Sequence, residues 1–112
     1  MGSKYVDTTA IMQVIGCVFN TPQLLEATDR YSIVDEDFAD PFHKTVFGAI
    51  YKIHELGANK ITLESISDFL SSRPKSAAVY KQGRGEEWLL KISENAMPSA
   101  FDYDYGRLKK FS

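Results

Sequence analysis

Apolar residues recur every three or four positions through most of the chain, which is the spacing of one face of an α-helix. The clearest stripes are Ile11, Met12, Ile15, Val18 and Phe19, then Phe42, Val46, Ala49, Ile50 and Ile53, then Leu63, Ile66, Phe69 and Leu70. No stretch shows the apolar–polar alternation of a half-buried strand, and no Asn-Gly or Asp-Gly pair marks a hairpin turn. The pattern therefore predicts an all-α fold.

Capping residues set the bounds of the two central helices. Asp40 and Pro41 predict a helix start. An aspartate side chain accepts hydrogen bonds from the free N–H groups of the first helical turn, and a proline in that turn removes no intrahelical hydrogen bond. Gly57 predicts the end of this helix, since glycine tolerates the left-handed conformation that closes many helices. Thr62 predicts the cap of the next helix, and Pro74 predicts its end.

Three further helices, and a stretch of one or two helical turns, are predicted from weaker patterns. Thr21 and Pro22 begin a short helix near residues 22–29, and residues 75–85 hold one or two helical turns. Trp88, Leu89 and Ile92 form the apolar face of another helix, and Ser99 caps the last one. The chain is thus expected to form a compact globule of about six short helices.

The size and composition are those of one globular domain. The chain has 112 residues, of which 44% are hydrophobic and 25% charged. The single cysteine excludes an internal disulfide and a multi-cysteine zinc site, and we expect Cys17 to be a packed core thiol. No apolar run approaches the ~20 residues that cross a bilayer, and no secretory signal is present. We therefore expect a cytoplasmic protein without membrane contact.

The charges are unevenly distributed along the chain. The net charge is −2, which argues against a dedicated nucleic-acid binder. Residues 1–72 hold 10 acidic and 5 basic side chains, whereas residues 73–112 hold 5 acidic and 8 basic ones. This asymmetry indicates either electrostatic complementarity with another subunit or partner, or simply a solvated surface.

No combination of residues predicts catalysis, a cofactor site or a metal site. The phosphate-binding pattern G-x-x-x-x-G-K-[ST] is absent, and residues 83–85 contain only G-x-G without a preceding strand. His43 and His54 lie about 16 Å apart along one predicted helix, too far to share a metal. The acidic residues 35–37 are adjacent rather than alternating, which does not match a calcium-binding loop.

The C-terminal segment is the main candidate for a binding surface. A stripe at helical spacing is typical of a helix that seeks a partner helix or a second copy, and it consists of Phe101, Tyr105, Leu108 and Phe111. The same segment also allows a small single-stranded nucleic-acid-binding helical domain, in which aromatic rings stack on bases and cations bind phosphates. The residues for that alternative are Tyr103, Tyr105, Arg107, Lys109 and Lys110.

Residues 37–50 resemble the signature of the N-terminal domain of DnaB-type replicative helicases. The residues that carry this resemblance are Phe38, Asp40, Pro41, His43 and Phe47. Further segments similar to the family follow in the family's order, namely 11–19, 54–57, 61–66, 88–89 and 94–100. The resemblance spans about residues 8–110. Residues 73–85 depart from the family pattern, which favours a helicase of a phage or mobile element.

The resemblance implies a fold, a role and a set of partners. The family domain is a non-catalytic helical globule that leads into a helical hairpin, and it contributes to the collar of a hexameric ring. It pairs with neighbouring subunits as dimers and recruits primase or a helicase loader. ATP and Mg²⁺ belong to a separate motor domain, which also makes most contacts with DNA. The five signature residues are expected to be structural.

The implied domain layout divides the chain into three parts. Residues 1–7 are expected to be disordered, residues 8–98 to form the globular domain, and residues 99–112 to begin the first hairpin helix. On this reading the chain stops inside that helix. Alternative functions are a free-standing helical adaptor or inhibitor that binds a helicase, and the helicase-binding domain of a primase.

Overall fold

The structure is a computed structural model that describes residues 8–110. These residues form six α-helices and three short 3₁₀ helices, without a strand. The α-helices are α1 (Thr8–Asn20), α2 (Pro41–Glu55), α3 (Leu63–Leu70), α4 (Pro74–Gln82), α5 (Gly85–Asn95) and α6 (Phe101–Lys110). The 3₁₀ helices are Pro22–Glu26, Asp35–Asp37 and Pro98–Ala100. The all-α prediction is confirmed, and none of the helices described is long and apolar enough to span a membrane.

Helix α1 lies at the centre of the core. Its buried positions are nearly consecutive, because α2, α5 and α6 pack around it, and they are Ala10, Ile11, Val14, Ile15, Gly16, Cys17, Val18 and Phe19. Two amide side chains of α1 also bind the C-terminal part of α5. Gln13 Nε2 donates to the Asn95 carbonyl at 3.0 Å, and Asn20 Nδ2 donates to the Ser93 carbonyl at 2.8 Å. These bonds satisfy carbonyl groups that a helix end leaves without an intrahelical partner.

The predicted bounds of α2 and the start of α3 are confirmed. Asp40 Oδ1 accepts a hydrogen bond from the Phe42 N–H at 2.8 Å, with Pro41 in the first turn of the helix. Gly57 follows the helix with a φ of 109°, in the left-handed region that favours glycine. Thr62 and Ser65 form a reciprocal capping box at the start of α3, with bonds of 2.8 and 3.1 Å.

Three of the weaker predictions differ from the structure. The segment after Thr21 is a single 3₁₀ helix, and the Thr21 side chain makes no capping bond. Pro74 lies in the first turn of the full helix α4 and does not only mark the end of α3. In that turn the missing proline N–H removes no intrahelical hydrogen bond. Ser99 lies within the 3₁₀ helix Pro98–Ala100, so it does not cap α6.

Candidate interaction surfaces

The signature residues form the junction between the loop before α2 and the core. Phe38 and Phe47 are almost fully buried, and their ring centroids lie 5.1 Å apart. Asp40 and Pro41 begin α2 as described above. Burial and capping therefore account for these four residues without a ligand.

His43 packs within an aromatic group at the start of α2. Its ring stacks on Trp88 of α5 at 5.4 Å with an interplanar angle of 30°, and Phe42 contacts the same indole edge-on at 5.0 Å. Burial lowers the pKa of His43, and the nearby Asp40 carboxylate acts in the opposite direction. Within residues 8–110 its buried Nδ1 has no hydrogen-bond partner. The side chain thus joins α2 to α5 through its ring contacts with Trp88 and Phe42.

The two remaining candidates for metal or thiol chemistry are held inside the fold. His54 Nε2 lies 2.8 Å from Glu26 Oε2, and its Nδ1 lies 3.0 Å from the Ala58 carbonyl oxygen. No group of three His, Cys, Asp or Glu side chains within residues 8–110 has the geometry of a metal site. Cys17 is a packed core thiol as predicted, and burial raises its pKa to about 11, with a smaller contribution from Asp104.

Helix α6 packs along α1, and much of its predicted partner stripe is inside the core. Phe101 and Leu108 are each only 3% exposed. Tyr105 is half-buried, and its hydroxyl oxygen accepts from the Ser32 N–H at 2.8 Å. Phe111 lies outside the described residues. Phe101 and Leu108 therefore cannot contact a partner while α6 stays docked on α1. The sequence could not show this, because periodicity reveals an apolar helix face but not which helix covers it.

Aromatic and ionic contacts hold α6 against the loop that precedes α2. Tyr31 meets Phe101 edge-on at 4.8 Å and Tyr105 at 5.2 Å. Lys109 Nζ donates to Asp37 Oδ2 at 2.8 Å, and this carboxylate is nearly buried. Lys109, predicted as a phosphate contact in the nucleic-acid alternative, is thus neutralised within the fold.

The remaining members of the nucleic-acid alternative are only partly available. Arg107 lies 3.5 Å from Asp104 Oδ1 and stands 5.5 Å from the Tyr103 ring centroid. Tyr103 is 70% exposed, and the Arg107 guanidinium group lies over one face of its ring. The Asp104 carboxylate already partly neutralises the Arg107 guanidinium group. This surface therefore offers one exposed aromatic ring, Tyr103, and a reduced positive charge.

A basic groove, missed in the sequence, runs along the solvent side of α2. It lies between α2 and the segment joining α3 to α4, and its lining includes Lys44, Gly48, Lys52, Phe69 and Arg73. The Arg73 guanidinium sits 4.0 Å from the Phe69 ring centroid. No acidic side chain of the described residues lines this groove. The spacing of Lys44, Gly48 and Lys52 by four residues was the signal in the sequence, since such positions share a helix face.

A second feature missed in the sequence is the outer face of α5, where exposed Lys91 lies between Glu87 and Glu94. Glu87, Leu90 and Glu94 are exposed and lie at positions i, i+3 and i+7, so they line the outer face of the helix. Leu90 is 49% exposed. The buried side of α5 carries Leu89 and Ile92. Because apolar periodicity marks only a buried face, the sequence pattern predicted this side of the helix and not the outer one.

Comparisons with known proteins agree with the signature. A family model described as the DnaB-like helicase N-terminal domain matches residues 4–107. The SPbeta prophage-derived uncharacterized protein YorI of Bacillus subtilis (strain 168) is 33% identical over 106 residues, which cover 95% of this chain. The chain spans only 21% of the length of that relative. No solved structure matches.

The family match and the helical architecture cover the same part of the chain. The matched range includes all of α1 to α5 and most of α6, and the prophage-derived relative accords with the expected phage or mobile-element resemblance. The signature in residues 37–50 lies within that range and forms the loop and the start of α2. The chain therefore belongs to the DnaB-like helicase N-terminal domain family.

Proposed function

We propose that this chain is the non-catalytic assembly and protein-interaction domain of a replicative DNA helicase that acts in the cytoplasm. The observation that carries the proposal is the family match over residues 4–107, which includes nearly the whole helical unit. In this role the domain holds helicase subunits together in a collar and offers a docking surface to primase or a helicase loader. The catalytic steps belong to another part of the parent protein.

The proposal places ATP, Mg²⁺ and most DNA contacts in a motor domain encoded by the same gene. The length of the prophage-derived relative, of which this chain covers 21%, is compatible with such an addition. We expect the natural reading frame to contain a G-x-x-x-x-G-K-[ST] motif, whose backbone N–H groups bind nucleotide phosphates. A complete reading frame without this motif would instead favour a free-standing adaptor or inhibitor of a helicase.

Self-association of the purified chain tests the assembly role. Sedimentation velocity from micromolar to near-millimolar protein should show a reversible increase in the weight-average sedimentation coefficient. A chain that sediments as a monomer throughout this range at low salt would contradict the proposal. Titration with fluorescent oligo(dT) at low salt separates the nucleic-acid alternative, because only a phosphate-binding surface gives affinity that falls steeply with added salt.

A further inference from the structure

One end of the basic groove concentrates positive charge. Lys44 of α2 and Arg73, which precedes α4, both line the groove and are exposed. Neither side chain forms an ion pair within residues 8–110. Asp40, one turn before Lys44, caps α2 and does not line the groove. Thr45 and Ser76 add hydroxyl groups to the lining, so this end of the groove suits a carboxylate or another oxyanion.

The other end of the groove has mixed charge. Lys52 pairs with Glu55 at 3.3 Å, and Glu36 lines an adjoining cavity together with Lys52 and Gly48. The exposed ion pair contributes little to stability, but the two carboxylates reduce the positive charge around the lysine. The positive charge is therefore local to the Lys44 end and does not extend along the whole of α2.

Gly48 opens the middle of the groove, one helical turn after Lys44. A Cβ atom added there would meet no heavy atom within 4 Å, and the residue does not have a positive φ. Glycine destabilises a helix interior relative to alanine, and no contact of the described residues requires it at this position. Ala49 and Phe69 make the neighbouring wall apolar. The opening therefore offers a seat for an apolar side chain from another molecule.

We infer that the basic groove binds an acidic helical segment of a partner protein, with a carboxylate between Lys44 and Arg73 and a bulky apolar side chain over Gly48. The two seats lie about 6 Å apart along α2, because four residues separate Lys44 from Gly48. Side chains four positions apart on a partner helix have the same separation. The inference rests on the proposed docking role, and it names the surface and the chemistry of the partner.

The size of the groove agrees with this occupant. Its volume is about 290 Å³, which is room for a few anchoring side chains. Most small-molecule sites are larger, at roughly 300–1,000 Å³. The groove therefore fits side chains presented by a larger partner better than it fits an enclosed ligand.

Nucleic acid fits the groove less well than an acidic protein segment. A phosphate backbone needs positive charge that continues from one phosphate to the next, whereas Glu36 and Glu55 interrupt it near Lys52. Phe69 is the one aromatic residue among the described lining residues, and the Arg73 guanidinium group lies 4.0 Å from its ring centroid. The guanidinium group therefore occupies a ring face that a base would need for stacking.

Peptide binding followed by NMR chemical shifts of the isotopically labelled chain tests the inference. The probe is an alanine-based helical peptide with one glutamate and one leucine four positions apart. Matched controls replace the glutamate with glutamine or the leucine with alanine. The probe should shift the amide signals of Lys44, Gly48, Arg73 and Ser76. Each control should bind roughly tenfold more weakly, because it loses a charge-assisted hydrogen bond or a buried apolar side chain.

Three variants of the chain locate the binding site. Lys44→Gln with Arg73→Gln should weaken binding of the glutamate peptide by roughly tenfold or more, since both cations are lost. Gly48→Leu should also weaken binding and leave the melting temperature unchanged or higher, because leucine favours the helix and has space there. Lys60→Gln with Lys81→Gln removes the same charge from exposed positions outside the groove. That control should bind the peptide like the unmodified chain.

The possible results distinguish the inference from the proposed function. No shifts with the glutamate peptide, shifts confined to other surfaces, or equal binding by the groove variants would overturn the inference. Larger shifts of the groove signals with oligo(dT) than with the peptide would also overturn it. If Lys44→Gln with Arg73→Gln abolishes self-association, a second copy occupies the groove, and the inference fails while the assembly function stands. A chain that binds the peptide but stays monomeric supports the groove and contradicts collar assembly.

Discussion

Gly16 of α1 and Ile92 of α5 approach so closely that a Cβ atom on Gly16 would lie 2.8 Å from the Ile92 carbonyl oxygen. The same Cβ would lie 3.2 Å from the Cβ of Ala96. The obstacle is backbone, which cannot turn aside as a flexible side chain does. The absence of a side chain at Gly16 therefore sets the distance between the first and fifth helices.

The two helical glycines Gly16 and Gly48 should respond to alanine in opposite ways. Gly16→Ala should reduce the free energy of unfolding by about 1–3 kcal/mol, because α5 must move away from α1. Gly48→Ala should increase it by about 0.5–1 kcal/mol through helix propensity alone. Urea denaturation measures both, and each variant is the control for the other. A stabilising Gly16→Ala substitution would contradict the packing described.

Removal of the Asp40 side chain should weaken the start of α2. Asp40→Ala loses the bond to the Phe42 N–H and should lower the free energy of unfolding by about 1 kcal/mol. Asp40→Asn retains an accepting oxygen and should lose much less. Denaturation curves in urea for the two variants provide the comparison, and equal losses would mean that the carboxylate does not act as a cap.

Burial of His43 should make the protein less stable as the pH falls below neutrality. The pKa of His43 is lowered in the fold by burial, whereas in the unfolded chain it is near 6.5. Between these two values the unfolded chain binds a proton that the folded chain does not, so the free energy of unfolding decreases as the pH falls. This loss begins near the unfolded pKa and is complete below the folded one.

The matched variant for this prediction is His43→Phe, which keeps a ring against Trp88. Its unfolding free energy should change less between pH 7.5 and pH 5.5 than that of the unmodified protein, when both are measured by urea denaturation (the pH values bracket about 6.5). Identical pH profiles would show that His43 titrates alike in the folded and unfolded chains.

Loss of the Lys109 ammonium group should leave an unbalanced charge beneath α6. The Asp37 carboxylate would retain the Val34 N–H at 3.0 Å but lose its 2.8 Å ion pair. Lys109→Met should lower the free energy of unfolding by about 1–3 kcal/mol. The double variant Asp37→Asn with Lys109→Met should lose less than the single variant, because no charge is then left unpaired. A double-mutant cycle by urea denaturation checks this coupling.

Helix positions were predictable where a local signal was sufficient. The stripe and cap of α2 and the Thr62 cap of α3 follow from neighbouring residues, and both are present. The length of helix α4 was underestimated, because its buried face consists of Tyr80 alone and one residue gives no periodic pattern. Propensity also does not distinguish a 3₁₀ turn from the start of an α-helix after Pro22, since both accept proline there.

Surfaces were harder to predict than helices, because exposure depends on distant segments. The apolar stripe with Phe101 and Leu108 has the same sequence pattern whether α1 or another molecule covers it. In the structure, α1 covers it. Gly48 and Gly16 are both glycines within helices, yet only the neighbours in space show that one is packed and the other open. The basic groove is therefore a feature of the fold and not of any short motif.

The central position of α1 has a consequence for synthesis on the ribosome. Helix α1 is synthesised before α5 and α6, which cover much of it and are made about 80 residues later. At a typical synthesis rate of about 5–20 residues per second, the apolar surface of α1 stays uncovered for several seconds before α5 and α6 are made. The newly made α1 is thus a natural client for chaperones until α5 and α6 have been synthesised.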